Sequence, residues 1–138
     1  MRIFLDANIL VSVLNKEYPL FTYSARLLSL TENSKFKIFT SPICLAIAFY
    51  FAEKKCGQNE AKNKICLLIS KIKIAEADES AALKAIQDKA VGDFEDGLEY
   101  YSALKAGCKW IVTEDTNDFH FSKLPVMTAR QFLEAHVL

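Results

Sequence analysis

Hydrophobic and polar positions follow two rhythms along the chain. Arg2-Ile3-Phe4-Leu5 is a short run, apolar on both faces, that stops abruptly at Asp6-Ala7-Asn8. Such a run predicts a central strand of a parallel sheet, covered by helices above and below. Positions 9–14 and 21–30 read as helices, the second burying Leu27, Leu28 and Leu30 along one stripe. A second strand is expected over 35–40. Ser41-Pro42 marks a helix start, since serine can cap and proline is tolerated in the first turn. That helix runs to Cys56, with Gly57 ending it. A helix over 60–70, a strand over 72–75 and a helix over 78–91 follow, the last broken by Gly92. Asp93 caps the next helix, which continues to Ala106 with Gly107 as terminator. A strand over 109–113, a polar loop over 114–122, a short strand over 125–127 and a helix over 128–135 complete the pattern. Strands separated by helices, with no hairpin signal, predict an α/β fold with a mostly parallel sheet.

Composition narrows the picture. A length of 138 residues without repeats or linkers fits a single domain, 1–138. Hydrophobic residues make up 51% and charged residues 25%, enough for a packed core and incompatible with global disorder. Seventeen basic residues balance seventeen acidic ones, so the chain does not hold nucleic acid by bulk positive charge. Any such role must rest on a local basic patch or on bound cations. The longest apolar stretch, 43–52, is shorter than the roughly 20 residues a bilayer requires. Asp6 interrupts any signal-peptide core, so a cytoplasmic location is expected. Cys44, Cys56, Cys66 and Cys108 lack metal-ligand spacing and read as reduced thiols, the first three within apolar helical patterns.

The acidic residues carry the candidate chemistry. In open parallel sheets ligands bind at the carboxyl ends of the strands. Asp6 lies just past the first strand and Asp115 just past the strand over 109–113, while Asp93 and Asp96 begin the helix that leads into that strand. Three regions distant in sequence can therefore converge on one edge. Carboxylates gathered there repel one another and lose solvation unless they are protonated or bind a hard cation such as Mg²⁺ or Mn²⁺. Divalent cations suit phosphodiester hydrolysis, because they activate water and neutralise phosphate charge.

The patterns Phe4-Leu5-Asp6-Ala7-Asn8-Ile9-Leu10, Asp93-Phe94-Glu95-Asp96-Gly97-Leu98 and Ile111-Val112-Thr113-Glu114-Asp115-Thr116-Asn117-Asp118-Phe119 resemble PIN domains, the nuclease fold of VapC-type toxins. Each motif alone is short; the three in order, at these separations, span nearly the whole chain. The resemblance implies a three-layer α/β/α sandwich and an endoribonuclease dependent on Mg²⁺ or Mn²⁺. It further implies an RNA substrate, an antitoxin protein partner and a homodimer. By the same resemblance Asp6, Asp96 and Asp115 are catalytic and bind the metal. Asp93 and Asp118 join them as metal residues, and Asn8 and Thr113 support the acids. One position departs from the pattern. The segment Thr40–Tyr50 resembles the helix that carries the family's second acid, a glutamate, and Ile47 occupies that place. Glu53 follows six residues later, at about 100° per residue well off the face of Ile47. This motivates an alternative: a catalytically impaired PIN-like module that binds nucleic acid or regulates.

Plainer roles compete for the same residues. Asp6 could cap the helix that follows, Asp93 could cap its own, and Asp96 suits a first turn. Asp115 and Asp118 could form Asx turns, and Thr113 could be an ordinary strand residue. Asp6 could also be a phosphoacceptor, although Asn8 stands where haloacid-dehalogenase chemistry needs a second acid. Gly97 costs about 1 kcal/mol against alanine inside a helix, which close backbone packing would explain. His120 and His136 read as surface residues. Phe49-Tyr50-Phe51 reads as core and interface, and Lys54, Lys55, Lys62 and Lys64 as a solvated helix face.

Overall fold

The doubly apolar opening run does become the middle of a sheet. In the computed structural model, which describes residues 1–137, β1 (Arg2–Leu5) buries Ile3, Phe4 and Leu5 almost completely. It is flanked by β2 (Lys37–Thr40) on one side and β4 (Trp110–Val112) on the other. β3 (Lys73–Ile74) and β5 (Val126–Met127) form the edges, giving the order β3-β2-β1-β4-β5. Every pairing is parallel. Parallel strands need crossovers, and helices supply them. The fold is α/β, with a five-stranded parallel sheet flanked by helices, as expected.

The helices are α1 (Ala7–Leu14), α2 (Leu20–Ser29), α3 (Pro42–Cys56), α4 (Gln58–Lys71), α5 (Glu79–Gln87), α6 (Phe94–Lys105) and α7 (Ala129–His136). α3 starts as its sequence predicts. Ser41 accepts a hydrogen bond from the Cys44 N–H, Pro42 fills the first turn, and Gly57 ends the helix at φ +85°. α7 opens with a reciprocal cap between Thr128 and Gln131. α1 packs against α3 and α2, α4 against α3, and α5 against α6. Ile9, Leu10, Leu27, Ile111, Phe132 and Leu133 fill the core with the residues of β1, each contributing roughly 1.5–3 kcal/mol by burial.

Four expectations need correction. The helix expected over 78–91 ends at Gln87, because Asp88 takes up bonds incompatible with another turn. Its carboxylate accepts from the Ala90 N–H at 2.9 Å and the Tyr101 hydroxyl at 2.7 Å. The loop over 114–122 contains a 3₁₀ turn, Thr116–Phe119, that buries Phe119. His136 is not a free surface group: its ring lies 4.6 Å from that of Phe132 and edge-on to Trp110 at 5.1 Å. The lysine stretch is only partly a solvated face. Lys64 donates to the Leu14 carbonyl at 2.9 Å and Lys55 to that of Asn15, so both cap the C-terminal end of α1. Among the described residues all four cysteines are free, and no helix is long and apolar enough to cross a membrane.

Candidate active site

The register of β1 and β4 sets the site. Leu5 pairs with Val112, so the residues that follow, Asp6 and Thr113, leave the sheet side by side. Asp6 turns into α1 as its N-cap, with Oδ1 accepting from the Ala7 N–H at 2.6 Å. Only 8% exposed, it receives the Thr113 hydroxyl on Oδ2 at 2.7 Å. That hydroxyl oxygen accepts in turn from the Asn8 amide and the Asp115 N–H, both at 3.1 Å. Asn8 also donates to the Asp115 carboxylate at 3.2 Å. Thr113 and Asn8 thus tie Asp6 to Asp115 across the ends of two strands. Glu114 points elsewhere, accepting from the Ala129 N–H at the start of α7.

α6 brings the remaining acids. Asp93 caps it, accepting from the Glu95 N–H at 2.8 Å. Asp96 lies in the first turn, half-buried, and Glu99 lies three residues on, one turn deeper along the same face. Gly97 lets this end of α6 approach α5. A Cβ there would sit 2.7 Å from Val91 Cγ1 and 3.1 Å from Ala85 Cβ, which accounts for a glycine inside a helix.

Electrostatics mark the two α6 acids. Burial, then the charges of Asp93, Asp6, Asp118 and Glu95, push the Asp96 carboxyl up to about 7. Glu99 is 1% exposed. Burial, then a hydrogen bond to Asp6 and the Asp6 charge, push its carboxyl up to about 11. The Cys44 thiol donates to Glu99 Oε1 at 2.9 Å, and burial, then the Glu99 charge, raise that thiol well above its ordinary range. At neutral pH Cys44 is therefore a thiol and Glu99 keeps its proton.

Asp6, Asp93, Asp96, Asp115 and Asp118 all line one cleft of about 470 Å³. Asn8 lines it too, and Thr113 supports it from behind through the hydroxyl already described. Val11, Leu20, Ile47 and Phe51 form an apolar wall. Ile47 lines the cleft from α3, while Glu53 is not among the lining residues. The sequence reading overlooked Glu99. Its signal was present, since the spacing Asp96-x-x-Glu99 puts two carboxyls on one helical face. Cys44 is likewise more than a small hydrophobe, because its thiol holds the Glu99 carboxyl in place.

The cleft suits a hard divalent cation. No lysine, arginine or histidine is among its lining residues, and the ion pairs found among the described residues, Lys105 with Glu76 and Asp78 and Arg130 with Glu134, lie elsewhere. Ligand atoms of Asp6, Glu99 and Cys44 lie within 4.8 Å of one another. Octahedral Mg²⁺ takes oxygens at about 2.1 Å, hence about 3 to 4 Å apart, so a small contraction suffices. Buried negative groups without a cationic partner are costly, and a bound cation removes that cost.

Comparisons with known proteins bear on the family and the fold. Residues 2–117 match the sequence profile of the PIN domain. The chain is 27% identical over 137 residues to Ribonuclease VapC1 of Aquifex aeolicus (strain VF5), covering 96% of this chain and 94% of that protein. The fold superposes on VapBC2 from Rickettsia felis, solved bound to a DNA fragment from their promoter, with a TM-score of 0.68 and 21% identity; 92% of this chain and 97% of the other are covered. VapBC-1 from nontypeable Haemophilus influenzae gives a TM-score of 0.69 at 19% identity, covering 94% and 99%. VapC20 of Mycobacterium tuberculosis, a sarcin-ricin loop cleaving toxin, gives 0.63 at 15% identity, covering 79% and 86%. At such identities the structural likeness speaks to the fold.

Proposed function

The chain belongs to the PIN domain family, and from that premise we propose that it is a metal-dependent endoribonuclease, the toxin half of a toxin–antitoxin pair, hydrolysing RNA phosphodiesters. One observation carries the reading: carboxylates from three separate stretches of sequence meet in one cleft that contains no positive side chain. Asp6, Asp96 and Asp115 would hold Mg²⁺ or Mn²⁺, with Asp93 and Asp118, which line the same cleft, as further metal residues. Once bound, the cation supplies water activation and neutralisation of phosphate charge. The rest falls to the chain. Thr113 and Asn8 fix the Asp6 and Asp115 carboxylates before any ligand arrives, so little reorganisation is needed. Val11, Leu20, Ile47 and Phe51 add apolar side chains to the lining of the same cleft. The VapBC relatives support an antitoxin protein as partner.

The test incubates purified protein with Mn²⁺ and single-stranded or structured RNA. Cleavage by the parent chain, lost on Asp6→Asn, is expected; no cleavage of either RNA overturns the catalytic reading. Ile47 favours a second reading, an impaired module that binds without cutting. That reading predicts RNA binding without cleavage and a thermal midpoint that Mn²⁺ does not move.

A further inference from the structure

We propose that Glu99, on α6, supplies the fourth carboxylate of the cation site in place of the acid missing from α3. The inference rests on the metal-dependent reading above and concerns which residues complete that site. Ile47 leaves the α3 side of the cleft apolar, which taken alone describes a site short of one ligand. α3 also packs against α6, and Glu99 enters the same space from across that contact. Its carboxyl and that of Asp6 fall within the 4.8 Å cluster. Asp96 and Glu99, three residues apart, both face the cleft, so one helix presents two acids where the family pattern draws on two helices.

The plainer reading makes Glu99 a structural acid that keeps its proton and hydrogen-bonds to Asp6. It leaves unexplained why an acid 1% exposed faces an acid-lined cleft with no basic partner: glutamine would make the same two hydrogen bonds, and only an acid can also give up its proton to a cation. The Cys44 thiol does not compete for the cation. Hard cations select oxygen over sulfur, and the thiol is already donating to Glu99 Oε1. Its part is to orient that carboxyl, while Ser41 in turn donates to the Cys44 sulfur at 3.3 Å.

The experiment titrates the full chain with Mn²⁺ by calorimetry, alongside Glu99→Gln, Asp6→Asn and the double variant Glu99→Gln/Ile47→Glu. The parent chain is expected to bind, and Glu99→Gln to bind on the order of tenfold more weakly or worse. Its thermal midpoint without metal should equal or exceed that of the parent, because glutamine keeps both hydrogen bonds, so weaker Mn²⁺ binding cannot be put down to a damaged fold. Adding Ile47→Glu should recover part of the lost affinity, because it returns a carboxylate to the α3 side. Should the amide variant fail to fold, Glu99→Asp keeps an acid but shortens its reach, and is expected to weaken Mn²⁺ binding. Unchanged Mn²⁺ affinity in whichever variant folds, with the parent still binding Mn²⁺ and cleaving RNA, overturns the role of Glu99 alone. A parent chain that binds no Mn²⁺ overturns the metal-dependent reading and this inference with it.

Discussion

Thr113 illustrates how much one hydroxyl can organise. Its oxygen donates to Asp6 and accepts from Asn8 and Asp115, so three candidate site residues depend on one buried atom. Thr113→Val keeps the shape but leaves the buried Asp6 oxygen without this donor. Denaturant unfolding should show a loss of about 1–3 kcal/mol, which Thr113→Ser largely avoids. Asp96 makes a prediction of the opposite sign. Its carboxyl rises from an ordinary 3.8 to about 7 in the folded chain. An acid whose proton is held more tightly when folded loses stability as pH climbs from about 4 to about 7, and the penalty is constant above that. In EDTA, Asp96→Asn should therefore have a flatter thermal midpoint between pH 4 and 7 than the parent chain, and a higher midpoint at pH 8. A parent midpoint that climbs across this interval no less than that of the variant would contradict the assignment.

Elements announced themselves in the sequence wherever one local rule decided them. The doubly apolar Ile3-Phe4-Leu5 run, the Ser41-Pro42 start and the Gly57 stop all act within a few residues, and the chain obeys each. The end of α5 was not legible, because the Tyr101 hydroxyl that engages Asp88 comes from the next helix. The same limit governed the site. Asp6, Asp96 and Asp115 could be found because strand ends and helix starts of a parallel sheet gather on one edge. Glu99 is legible only through its three-residue spacing from Asp96, because the family pattern places its second acid on α3 and gives no reason to look for a carboxylate one turn further along α6. Gly97, anomalous inside a helix by propensity, is where α6 closes on Ala85 of α5 and on Val91. Gly97→Val would force its branches into Val91 and Ala85. A loss of about 1–3 kcal/mol is expected by overpacking, together with weaker Mn²⁺ binding as the acids at the start of α6 are displaced. A variant as stable as the parent would show that α5 yields freely.

At the scale of the whole molecule, charge imposes the strongest constraint. The chain is neutral overall, yet its cleft gathers carboxylates without a balancing cation among the lining residues, and two of the lysines nearest in sequence to α3 are spent on the end of α1. An RNA phosphate approaching such a cleft meets repulsion at the very place where hydrolysis would occur. Cation binding reverses the local sign, so metal affinity and RNA affinity should rise together, by the reciprocity that links any two ligands of one site. Two measurements follow from this coupling. At a hundredfold excess over its Kd, Mn²⁺ should stabilise the fold by about 2.7 kcal/mol, a rise in thermal midpoint on the order of 10 °C for a chain this size. Ca²⁺, a hard cation of larger radius, should allow RNA binding to be measured while cleavage is slow, with RNA affinity at least tenfold higher than in EDTA. The metal-free chain should retain only weak RNA binding with a shallow salt dependence, as expected for a few exposed lysines. If RNA bound equally well in EDTA, phosphate recognition would lie outside the acidic cleft, and the negative potential of that cleft would have to serve some other ligand.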